Sequence, residues 1–205
     1  MEENKGFGAF FKTNFDAISK LFLNHVAMCV FGIVVSIATM MLNVEAFGGS
    51  KGNFGVLGYI MCGVGILLYL GLIYVCMWEK GASDKIKIDG GRLKKNNYKG
   101  LLFWLVANAI DIFIVLNAII LSLIEKGAGE NGVLGTFYGI AGMASMLYNG
   151  MYYPILYHLF GRFTWLFFIV FIPGAIVAWL SYISGIKGHR CIFPEPKKEQ
   201  SRKTR

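Results

Sequence analysis

One acidic residue stands deep inside an oil-like run: Asp111, in LLFWLVANAIDIFIVLNAIILSLI, residues 101–124. An aspartate at the centre of a spanning helix costs about 2.5–3.5 kcal/mol on insertion scales, so it must face protein or water and hold a partner. On a helix, Asn108 and Ser122 share the side of Asp111, whereas Asn117 points well away. Two chemistries suit such a group. One is an intramembrane proton or cation site built from Asp111 and Asn108. The other is a hydrogen-bonded pin between helices, with His158, Asn43 or Tyr148 as the mate.

Other chemistries lack residues to carry them. His25, His158 and His189 are scattered and form no H-E-x-x-H pair. No G-x-S-x-G elbow occurs. Asp89-Gly90-Gly91-Arg92 has glycines and a cation but not the spacing of a phosphate loop, and Asp84 and Asp89 do not have EF-hand spacing. Cys29, Cys62 and Cys76 lie in apolar runs, Cys191 lies near the C-terminus, and no C-x-x-C pair exists. They are expected to be reduced thiols. No catalytic residue, cofactor or metal is expected, and the protein is expected not to be an enzyme.

The elements that position Asp111 follow from composition. Apolar residues make up 56% of the 205-residue chain and charged residues 16%, gathered into a few blocks. Uncharged runs of about 20 residues are what a helix needs to cross hydrocarbon. The expected fold is therefore all-α: a polytopic helical membrane protein with five apolar helices, of which four or five cross. They fall at about 24–43, 54–78, 101–124, 133–160 and 163–185, within a transmembrane domain over 24–186. Val44-Glu45-Ala46 has a faint signal-cleavage look, but an uncleaved first span is expected. Residues 1–23 carry Phe7, Phe11, Phe15, Ile18 and Phe22 at helical spacing on one side, an amphipathic segment lying in the headgroups or simply beginning a long first helix.

The charges set the topology. Lys and Arg number three before the first span, seven between Trp78 and Gly100, and seven from Lys187 onward. Positive-inside placement puts the N-terminus, the 79–100 loop and the basic 187–205 tail in the cytoplasm, which requires an even number of crossings. The suspect segment is 133–160, rich in Gly and Tyr and holding Asn149 and Pro154. It is expected either to break near Tyr148–Pro154 and re-enter or lie flat, or to cross fully and leave the tail outside. A net charge of +8 held in membrane-flanking blocks points to anionic headgroups rather than nucleic acid.

Within the 79–100 loop, Lys85-Ile86-Lys87-Ile88 alternates like a short strand and Asp89-Gly90-Gly91 offers a tight turn. The expectation is a small hairpin on the membrane face. Lys85, Lys87, Arg92, Lys94 and Lys95, with Lys80 and Lys99, would face headgroups; an acidic protein partner is the rival occupant. Small residues mark packing faces: Gly55, Gly58 and Gly65 on the second span, and Gly135, Gly139 and Gly142 later. They suit self-association or a membrane protein partner as well as packing within the chain.

Four patches, FFKTNFDAISKLFLNHVAMCVFGIVVSIA, YVCMWEKGASDKIKIDGGR, KGLLFWLVAN and PGAIVAWLSYISGIKG, carry a resemblance. Through them the chain resembles a group of small polytopic integral membrane proteins of Firmicutes, chiefly clostridia. The likeness covers about half the chain, and the 125–160 region lies outside it. It implies a multi-pass protein of a bacterial plasma membrane and implies nothing about mechanism. The function expected first is an accessory or assembly component of a membrane complex. The alternative is a small transporter or channel subunit using Asp111.

Overall fold

The computed structural model describes residues 6–47, 54–128, 132–159 and 162–189. The basic tail beyond 189, with Cys191, lies outside the described residues. Those residues are almost wholly helical and contain no strand. The helices are α1 (Phe7–Phe47), α2 (Gly55–Asp89), α3 (Lys99–Ala107), α4 (Ala109–Ala128), α5 (Gly132–Tyr148), α6 (Tyr153–Leu159) and α7 (Phe171–Lys187). Two 3-10 segments, Gly150–Tyr152 and Thr164–Val170, precede α6 and α7.

Three of these stretches are long and apolar enough to cross a membrane: Gly8–Glu45, Gly55–Asp89 and Thr164–Lys187. The pair α3 and α4 makes a fourth if counted as one span, bent by 64° at Asn108. Large apolar side chains such as Val34 and Ile37 on α1, Leu67 and Leu68 on α2, and Phe113 and Ile120 on α4 are exposed. Such a surface suits hydrocarbon, not water.

At 41 and 35 residues, α1 and α2 are about 60 and 50 Å long. Both exceed the roughly 30 Å of a hydrocarbon core. No break falls at residue 23, because α1 runs through it; the N-terminal amphipathic stretch is the start of one long first helix. Helix α2 likewise continues to Asp89, so half of the expected 79–100 loop is helix and Lys85–Ile88 form no hairpin. Four alternating residues fit one helical turn as well as a strand, and here buried contacts decide. Gly81 lies against Gly185 and the Tyr182 carbonyl of α7, where any added side-chain carbon would collide with backbone. Asp89-Gly90-Gly91 does turn the chain, but as a helix end: Gly91 takes φ +69°.

Around that projecting end of α2, Asp84 is fully buried. It accepts hydrogen bonds from Lys99 Nζ at 2.7 Å and Tyr182 OH at 2.8 Å, with Lys80 Nζ at 3.3 Å. Both lysines also sit 5.6 Å from the Phe103 ring. Lys80 and Lys99 therefore face inward to a carboxylate rather than outward to headgroups, and α2, α3 and α7 are pinned together.

The expected helix 133–160 is two helices and a turn. Gly135 of α5 faces Glu125 near the end of α4, while Tyr157 and His158 of α6 pack on Phe54 and Tyr59 at the start of α2. Asp84 and Lys99 hold the opposite end of the bundle. Tyr138 of α5 meets Thr164, just beyond the end of α6, at 2.8 Å, so the start of α5 lies beside the end of α6 and the chain reverses between them.

Candidate functional site: a buried histidine and aspartate between two broken helices

Both interruptions occur at asparagines. At Asn108 the backbone leaves helical geometry (φ −101°, ψ 13°), and the side-chain amide donates to the Trp104 carbonyl at 2.9 Å. At Asn149 the backbone leaves helical geometry (φ −114°, ψ 40°), and Gly150 and Pro154 follow. Pro154 is tolerated in the first turn of α6, where its missing N–H would have no helical partner.

The second break is driven against α1. A side-chain carbon on Gly32 would strike the Met151 backbone, and one on Gly150 would strike the Cys29 carbonyl and Ile33. That approach brings the interrupted chain to the middle of α1, where its carbonyls find donors. The Tyr148 carbonyl takes hydrogen bonds from His25 Nε2 at 2.9 Å and from Cys29 Sγ. The Met151 carbonyl takes one from Cys62 Sγ at 3.1 Å. Irregular backbone is tolerated at membrane depth only where it is satisfied by protein or lines a cavity, and these thiols and the imidazole satisfy it.

Asp111 falls in the first turn of α4, immediately after the Asn108 bend, where the helix dipole favours negative charge. Its side chain is completely buried. Oδ1 accepts a hydrogen bond from Asn149 Nδ2 at 2.7 Å. Oδ2 lies 3.7 Å from His25 Nε2, too far for a hydrogen bond, and has no hydrogen-bond partner among the described residues. His25 Nδ1 meets Tyr69 OH at 2.9 Å. A carbonyl can only accept, so Nε2 carries the proton toward Tyr148; in the neutral ring Nδ1 then accepts from Tyr69. Protonation of Nδ1 would reverse that last bond, with Tyr69 OH accepting.

The site is polar beyond what its own groups satisfy. Besides Asp111 Oδ2, Ser145 Oγ and Tyr152 OH are buried without hydrogen-bond partners among the described residues. Ser145 shares Asn149 with Asp111, through its carbonyl at 3.2 Å. Tyr69 and Tyr152 both lie within electrostatic range of Asp111. Buried polar atoms of this kind call for an explanation, and a proton path or small polar guest is one. Among the described residues, no group of three or more His, Cys, Asp or Glu could hold a metal ion.

The residues singled out from sequence are distributed unevenly around this centre. Asp111 and Asn108 are both buried here, and Ser122 is buried on α4, while Asn117 bonds back to the Phe113 carbonyl at 2.7 Å. None of His158, Asn43 or the Tyr148 side chain is the hydrogen-bond mate of Asp111; Asn149 is, with His25 opposite. His158 stacks with Tyr59 far from Asp111. Lys87, Arg92, Lys94 and Lys95 are exposed and Lys85 is half-buried. Gly55 lies against Asn43 and Gly58 against Thr39, both contacts between α2 and α1. Gly135 meets Glu125, and Gly142 is buried on α5. An added side-chain carbon on Gly65, which is buried, or on Gly139 would meet nothing within 4 Å, and the tight crossings use Gly32, Gly81, Gly150 and Gly185 instead.

No protein-family model, curated protein or solved structure matches this chain.

Proposed function

We propose that this chain is a non-enzymatic, multi-pass protein of a bacterial plasma membrane that works as a small proton-coupled transporter or channel subunit, with His25 and Asp111 as its proton-handling pair. One observation carries the reading: two helices are interrupted beside a fully buried carboxylate that faces an imidazole at 3.7 Å. Ionisable groups inside a membrane are costly and are kept where they do work. Interrupted helices around such a group are the recurring construction of transporter sites. Asn149, Tyr69 and the Tyr148 carbonyl orient the pair, so a proton gained or lost changes which hydrogen bonds hold α1, α2, α4 and α5 together.

The basic blocks place residues 79–100 on the cytoplasmic side in this reading, and the reversal of the chain within 132–159 supports an even number of crossings. The purified protein in proteoliposomes should support a proton-dependent flux that Asp111→Asn abolishes while detergent stability is kept. If Asp111→Asn leaves every flux unchanged and alters only stability or oligomer state, the pair is a structural pin and the accessory or assembly role takes its place.

A further inference from the structure

We propose that the segment joining α2 to α3 forms a discrete site for one anionic glycerophospholipid, with the phosphate over Lys94 and Lys95 and an acyl chain against α3. A groove of about 650 Å³ lies here, bounded by Phe10, Lys94, Lys95, Asn96, Asn97 and Leu102 among others. Its upper wall is cationic and amide-rich. Its lower wall is apolar: Phe10 stacks on Phe103 with centroids 5.4 Å apart, and Leu102 is exposed, with Leu105 one turn below it on the same face and also exposed.

The segment is held in place. Trp179 Nε1 donates to the Asn97 carbonyl at 3.1 Å, the Tyr98 ring lies parallel to Trp179 at 6.4 Å, and the Tyr98 amide donates to Asn96 Oδ1 at 2.9 Å. A fixed loop gives up less entropy on binding than a floppy one. Tyr98, in the polar segment just before α3, is 68% exposed and stacks on Trp179, midway along α7. Such aromatics sit at headgroup level. Lysines at that depth, above leucines that face hydrocarbon, meet a lipid's phosphate and chain together. A soluble acidic peptide would match the lysines and leave Leu102 and Leu105 uncovered. Lys99 takes no part in the charge recognition, because Asp84 holds it.

The test is native mass spectrometry of the full chain in neutral detergent, titrated separately with phosphatidylglycerol, phosphatidylcholine and inorganic phosphate. Phosphatidylglycerol should be retained as a single tight adduct in preference to phosphatidylcholine. A Lys94→Gln/Lys95→Gln variant should lose roughly thirtyfold in that preference, as two headgroup-level lysines predict. The Lys85→Gln/Lys87→Gln variant, whose residues do not line the groove, should keep it. Equal loss in both variants would reduce the effect to diffuse surface charge and overturn the site. Equal retention of phosphatidylcholine, or inorganic phosphate displacing the lipid at matched concentration, would overturn it too. All the altered lysines are at least partly exposed, so a folded protein is expected in every arm.

Discussion

Asn149 Nδ2 stands 2.7 Å from Asp111 Oδ1, and through that one bond the two interrupted helices meet. The same amide also reaches the Ser145 carbonyl at 3.2 Å, closing its own helix end. One side chain thus repairs one break and engages the buried acid that follows the other.

Replacing Asn149 with Ala should therefore cost about 1–3 kcal/mol, the penalty for leaving a buried acceptor unpaired. Asp111→Asn keeps an oxygen that can accept from Asn149 and should cost less. Thermal unfolding of both variants in detergent, with the parent alongside, measures the order. A more stable Asn149→Ala than Asp111→Asn would contradict it.

The Asp84 cluster should behave as a single unit. Asp84→Ala strands two lysines that are each less than a sixth exposed, at 15% and 13% of the side chain, and should cost about 3–5 kcal/mol. Tyr182→Phe removes one hydrogen bond and should cost about 1–3 kcal/mol. The check is again thermal unfolding, and the C-terminal ends of α2 and α7 should loosen first in hydrogen exchange.

Glycines should divide by what they face. Gly185→Ala pushes a carbon against the Trp78 carbonyl and the backbone at Ala82, with no flexible side chain to move aside. It should destabilise by about 1–3 kcal/mol. Gly139→Ala meets open space and should be neutral or gain up to about 1 kcal/mol of helix propensity. Equal losses at both positions would mean that the close approach of α2 and α7 is misplaced.

The reversal within 132–159 makes a labelling prediction. With the native cysteines replaced by serine, Cys introduced at Val133 and at Tyr157 should react with an impermeant maleimide from the same face of sealed vesicles. Val133 is 71% exposed and Tyr157 45%, so neither is shielded by the chain itself. Residue 94 should react from the opposite face. Labelling of 133 and 157 from opposite faces would require a full crossing.

Much of this arrangement was legible from the residues. The lone charge of Asp111 announced a buried site, and the Gly, Asn and Pro around residue 150 announced a break in 133–160. Asn108 did not announce its bend, because an isolated Asn in an apolar run fits a straight helix. Asn14 and Asn117 make the same bond to the carbonyl four residues back within unbroken helices, so the residue type carries no sign of the bend. His25 was missed as a partner because 86 positions separate it from Asp111, and periodicity within a helix carries no information between helices. A signal did exist: His25 stands four residues before Cys29, and Gly32 follows on the same face as a small-residue stripe. The hairpin expected at Lys85–Ile88 failed for a similar reason, since Gly81 and Asp84 are held by Gly185 and Tyr182 of α7, far along the chain.

The central claim, that Asp111 takes up and releases a proton, can be tested without knowing any substrate. Infrared difference spectra of the chain in lipid, recorded as pH is stepped through the physiological range, read the carboxyl carbonyl stretch directly. A titrating band that disappears in Asp111→Asn and moves in His25→Gln is the predicted result. A carboxyl signal that is identical in the parent and in Asp111→Asn at every pH would contradict the account.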